Sequence, residues 1–80
     1  FGTVTLAGGT ATVNTTAVTA SSILYLFRQG VGATGAAALG ILSVGTITAG
    51  ASFVINAVQA ANATALQASD VSVIGWMIVN

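Results

Sequence analysis

The 80-residue chain contains no cysteine, no histidine and no proline. Without the first two it has neither disulfides nor zinc to staple a small fold. A chain of this length buries only about 60% of the surface its unfolded form exposes, so its own core is marginal. Association with other chains is the remaining common source of stability.

Charge is almost as scarce: Arg28 is the only cationic side chain and Asp70 the only anionic one, while 55% of the residues are hydrophobic. Ordinary domains are about a quarter charged. The chain therefore has no basic footprint for nucleic acid, whose binding is dominated by lysine and arginine contacts to phosphate. A net charge near zero favours association. Much of the surface is expected to meet protein rather than water, and the high apolar content argues against disorder. No basic segment precedes an apolar stretch at the N-terminus, so no secretory leader is expected there. The chain opens on Phe1 rather than methionine, as a processed or incompletely traced product would.

Catalysis has little to work with. No His, Cys, Glu or Lys is present, Asp70 is the one carboxylate, and a lone hydroxyl has no base to activate it. The expectation is a protein that is not an enzyme, with no cofactor, no metal and no small-molecule substrate. One carboxylate with backbone carbonyls makes no metal-ligand pattern. The stretch GVGATG, residues 30 to 35, fits G-x-G-x-x-G after a strand, but a dinucleotide site also needs an acid about 20 residues on and a βαβ unit. Asp70 lies too far along and Gly40 weakens the candidate helix, so the stretch reads as a turn. The tripeptides Asn14-Thr15-Thr16 and Asn62-Ala63-Thr64 match the glycosylation acceptor, as chance allows in a chain rich in both residue types.

What the chain has in abundance is β-branched alternation. In GTVTLAGGTATVN, a two-residue Gly8-Gly9 turn puts Val4 opposite Val13, Leu6 opposite Ala11 and Thr5 opposite Thr12. One face of this hairpin is then Val4, Leu6, Ala11 and Val13; the other is Thr3, Thr5, Thr10, Thr12 and Asn14. The next strand, ILYLFRQ at 23 to 29, is apolar on both faces, which predicts cover on both sides. LGILSVG (39 to 45), SFVINA (52 to 57) and DVSVIGWMIV (70 to 79) read as further strands, with Gly75 marking a bulge or a close approach beside Trp76. The segment 57 to 68, AVQAANATALQA, reads as a loop with at most a helical turn.

Short strands at roughly 8–12-residue spacing with glycine turns predict an all-β sandwich or barrel of about six to seven strands, one domain over residues 1 to 80. Val4, Leu6, Val13, Leu24, Tyr25, Leu26, Phe27, Phe53, Ile55, Ile74, Trp76 and Ile78 are expected in its core or in a subunit interface. For Arg28 and Asp70 the favoured reading is two solvated residues worth about 0–1 kcal/mol as an exposed pair; the sharper one is an ion pair that fixes register within or between subunits.

A spanning helix needs about 20 predominantly apolar residues, and the best window, 31 to 49, is broken by Gly, Thr and Ser. A membrane partner is the weaker expectation. Uncharged strand edges without lysine or proline are templates for pairing with other chains. A small membrane-associated or amyloid-like self-assembling protein is therefore the competing class.

The ordered series GTVTLAGGTATVNTTAVTASSILYL, TITAGASFVINA and SDVSVIGWMIVN resembles a small β-domain of tailed-bacteriophage structural proteins. The resemblance covers nearly the whole chain. It implies a virion component on the outside of the particle, a homotrimer that decorates the capsid as a head fibre or cement or forms part of a fibre, with itself and other virion proteins as partners. The alternative within that group is a tail-fibre or tail-spike module that contacts a host receptor. The chain is poorer in charge than the pattern and has Ile23 where a basic residue often stands, which favours packing against other virion proteins.

Overall fold

The computed structural model describes residues 1–32 and 39–80. Among these, seven strands and no helix are present: β1 (Gly2–Thr5), β2 (Thr10–Asn14), β3 (Ile23–Gly30), β4 (Ile41–Thr48), β5 (Ser52–Gln59), β6 (Asn62–Leu66) and β7 (Val73–Val79). They form two antiparallel sheets, β1-β7-β3 and β2-β5-β4, with β6 also paired to β5. The expected all-β class holds. The central strands β7 and β5 carry the inward-facing Ile74, Phe53, Ile55 and Ala57, all fully buried.

The glycine turn forms, but the hairpin does not. Gly8 and Gly9 both have positive φ, 62° and 78°, as a two-residue turn requires. The ladder then stops at the single bridge Ala7↔Thr10. Leu6 N–H donates instead to the Ser72 carbonyl at 2.9 Å. Val4 pairs with Ile74 rather than Val13, and Val13 pairs with Phe53. A lone two-stranded hairpin is marginal, whereas splitting it between two sheets packs Val4, Leu6, Ala11 and Val13 on one core from both sides. The inward and outward sorting is the expected one; the partners differ. Gly9 is buried at the junction, where a Cβ would sit 2.5 Å from the Gln67 carbonyl oxygen.

Two further expectations change. Residues 57 to 68 are not a loop: β5 runs on to Gln59, Ala60 and Ala61 turn, and β6 returns along it. No glycine or β-branched run announced this hairpin; pairing with β5 overrides weak local preference. The irregular stretch between β2 and β3 crosses from one sheet to the other and inserts Val18, fully buried, into the core. Its ends are tied by Asn80, whose amide donates to the Ala17 carbonyl at 3.2 Å and whose side-chain oxygen accepts from Ser22 Oγ.

Of the candidate dinucleotide stretch 30 to 35, residues 33 to 35 lie outside the described residues. No helix of the described residues is long and apolar enough to cross a membrane.

Candidate functional site

Directly paired residues on antiparallel strands point to the same side of a sheet. In the first sheet, Leu24↔Ile78, Leu26↔Trp76 and Arg28↔Ile74 point inward, while Ile23↔Val79, Tyr25↔Met77 and Phe27↔Gly75 point outward. Among the described residues nothing covers the outward set. Ile23, Tyr25 and Phe27 are each more than half exposed, and Met77 and Val79 are exposed beside them. The expectation that β3 is covered on both faces is not met among the described residues, which cover its inner face alone.

The outward set is continuous. The Phe27 ring fills the space above Gly75, whose backbone lacks the Cβ that would meet it. The close approach expected at Gly75 therefore exists, and Phe27 makes it. Phe1, Tyr25, Phe27, Trp76 and Met77 line a shallow concavity of about 430 Å³. Trp76 belongs to this lining although its side chain turns inward: half-buried, the indole meets Phe53 of the opposite sheet edge to face, with ring centroids 5.5 Å apart and planes at 78°.

The outer face of the second sheet differs in character. Thr10↔Asn56, Asn14↔Ser52 and Ser43↔Asn56 are outward pairs, and Thr10 Oγ1 donates to Asn56 Oδ1 at 2.7 Å. That face carries most of the hydroxyls and amides, though Ile41, Val54, Val58 and Leu66 also lie on it. The threonines of the opening stretch are divided, Thr3 and Thr5 at the edge of the first face and Thr10 and Thr12 on the second.

The two charges meet in the interior, which overturns the reading of them as solvated. Asp70 is fully buried, and Arg28 Nη1 lies 3.2 Å from Asp70 Oδ2 with 19% of its side chain exposed. Arg28 Nη1 also donates to Ser72 Oγ at 2.8 Å, and Nη2 to the Gly40 carbonyl at 2.7 Å. Asp70 accepts from Gly40 N–H at 2.8 Å and from the Ser72 N–H and hydroxyl at 3.1 and 2.5 Å. Burial raises the Asp70 pKa, but the Ser72 hydroxyl, the Gly40 and Ser72 N–H groups and the Arg28 charge outweigh it, holding the carboxyl below its ordinary value. The network ties β3, the start of β4 and the entrance to β7 together. Asp with Ser two residues on is a local pattern in which the carboxylate satisfies the backbone of a turn; Ser72 and the buried Val18 were not singled out from the sequence, and Gly40 was noted only as weakening a candidate helix.

Of the residues expected in a core or interface, Leu6, Val13, Phe53, Ile55 and Ile74 are buried, and Val4, Leu24, Leu26, Trp76 and Ile78 pack against them. Tyr25 and Phe27 stand on the open face.

The model of the family described as K1 capsule-specific polysaccharide lyase, C-terminal domain, matches residues 1–79. The chain belongs to that family. The match supports a phage structural domain in the broad sense, related to tail spikes. Searches of the curated proteins and of the solved structures give no match.

Proposed function

We propose that the chain is a non-catalytic, self-associating β-module of a phage tail spike, a homotrimer on the outside of the virion that packs against itself and its neighbouring virion proteins. The family match along residues 1–79 carries this reading. It favours the tail over decoration of the capsid, because a lyase directed at a capsule polysaccharide has to be carried to the host surface.

The chemistry of the chain supports the non-catalytic part. Polysaccharide elimination needs a base to take a proton and an acid to return it. Both charged side chains, Arg28 and Asp70, are committed to each other in the interior. The exposed phenol of Tyr25 stands among carbon side chains, Phe27 and Met77, with no described cation beside it.

The test has two arms. The isolated chain, incubated with K1 capsule polysaccharide, is expected to produce no unsaturated sugar ends; their accumulation would overturn the non-catalytic reading. Gold-labelled antibody against the chain is expected to mark the tail of intact particles, and label confined to the head would return it to a capsid-decorating role.

A further inference from the structure

We infer that the outer face of the β1-β7-β3 sheet, centred on Tyr25, Phe27 and Met77, is the surface through which copies of this chain associate. This rests on the proposal that the chain self-associates, and names where. The two sheets of the sandwich present unlike faces to the outside: one rich in hydroxyls and amides, the other formed by Ile23, Tyr25, Phe27, Met77 and Val79, which are 57, 52, 55, 43 and 39% exposed. The second set is contiguous, because Ile23 pairs with Val79, Tyr25 with Met77, and the Phe27 ring spans Gly75.

The choice of occupant follows from charge and area. Neither Arg28 nor Asp70 points to this face, so two copies bring no like charges together. A polysaccharide or a nucleic acid would lose water from its polar groups against carbon, and a polar group buried without a partner costs free energy. A second copy offers carbon to carbon. A fully covered aromatic side chain buries about 150–250 Å² and the aliphatic ones somewhat less, so these five half-exposed side chains amount to roughly 500 Å² per copy; three such faces gathered about the axis of a trimer bury roughly 1,500 Å², beyond the ~1,000 Å² that a specific interface has to clear. Phe1, 99% exposed at the rim, adds to it.

Sedimentation velocity of the 80-residue chain at micromolar concentration tests this. The wild type is expected to run as an oligomer and the double variant Tyr25→Asp/Met77→Asp as a monomer, at least ~100-fold weaker in association. Ile41→Lys, on the outer face of the other sheet, is expected to leave the mass unchanged. A second measurement needs no variant: Met77 is the only methionine, and its oxidation by peroxide, read by mass spectrometry, is expected to be at least ~10-fold slower in the assembled wild type than in free methionine. An oligomer undiminished by the double variant, or Met77 oxidised at the free rate within the oligomer, overturns this face while leaving self-association intact. A monomeric wild type overturns self-association itself, and an oligosaccharide that protects Met77 in that monomer would give the face to sugar.

Discussion

The ring of Phe27 lies over Gly75 so closely that a Cβ at position 75 would sit 2.1 Å from its Cζ. Gly75 is the central residue of a three-strand row, paired with Thr3 on one side and Phe27 on the other. Gly75→Ala is therefore expected to swing the ring outward. The ring is more than half exposed within the single chain, so the expected cost to the fold of one chain is about 1 kcal/mol, the scale of strand preferences. Denaturant melts measure it, and a loss above about 3 kcal/mol would mean that the ring is held in place.

Arg28 and Asp70 set the next expectation. Removing one partner of a buried pair leaves an uncompensated charge, which costs about 3–5 kcal/mol. Arg28→Met is expected to fall in that range, and Arg28→Met/Asp70→Leu to cost less than the two single changes added together. Urea midpoints of the three variants check the coupling. Strict additivity would show that the two side chains do not stabilise each other.

The pH dependence follows from the lowered Asp70 pKa. A carboxyl that binds its proton less readily in the folded state than in the unfolded state stabilises the fold above the unfolded value, about 3.9. That contribution is lost as pH falls below it and through the folded value. Asp70 is the only acidic side chain, so stability is expected to hold from neutrality down to about pH 4 and then to decline, with Asp70→Asn flattening the decline. Thermal midpoints of both proteins across this range decide it; an unchanged slope in the variant would remove Asp70 from the account.

Trp76 joins the two layers through its edge-to-face contact with Phe53. Trp76→Ala is expected to cost about 3 kcal/mol, at the lower end for a large aromatic because the indole is half-buried. Loss of the near-ultraviolet circular dichroism signal with retained β-signal in the far ultraviolet would accompany it.

Alternation along a strand is a local property, and it placed Val4, Leu6, Ala11 and Val13 inward and Thr3, Thr5 and Thr12 outward correctly from the sequence. Partner choice is not local. The Gly8-Gly9 turn has the backbone of a hairpin, yet β1 and β2 leave for different sheets because β7 and β5 give each of them a longer partner. The β5–β6 hairpin was hidden for a related reason: Ala60 and Ala61 turn without a glycine. The buried ion pair was legible as two residues and illegible as a site, since its Gly40 partner lies 30 residues before Asp70 in the chain. For β3, the two apolar faces predicted cover on both sides, and the described residues supply it on the inner face alone, because a strand's own pattern does not carry the identity of what lies above it.

The order of strands in the first sheet bears on how the chain reaches its fold. Its middle strand, β7, is the last of the seven to be synthesised, and its two neighbours, β1 and β3, are among the first three. Neither early strand has its ladder partner until residues 73 to 79 emerge. Pairing at such long sequence separation is slow, and the waiting strands are exposed to neighbours in the meantime. Of the two sheets, the one that presents the open apolar face is thus the later to gain its middle strand in chain order, and its apolar β3 strand, ILYLF, precedes that partner by more than 40 residues.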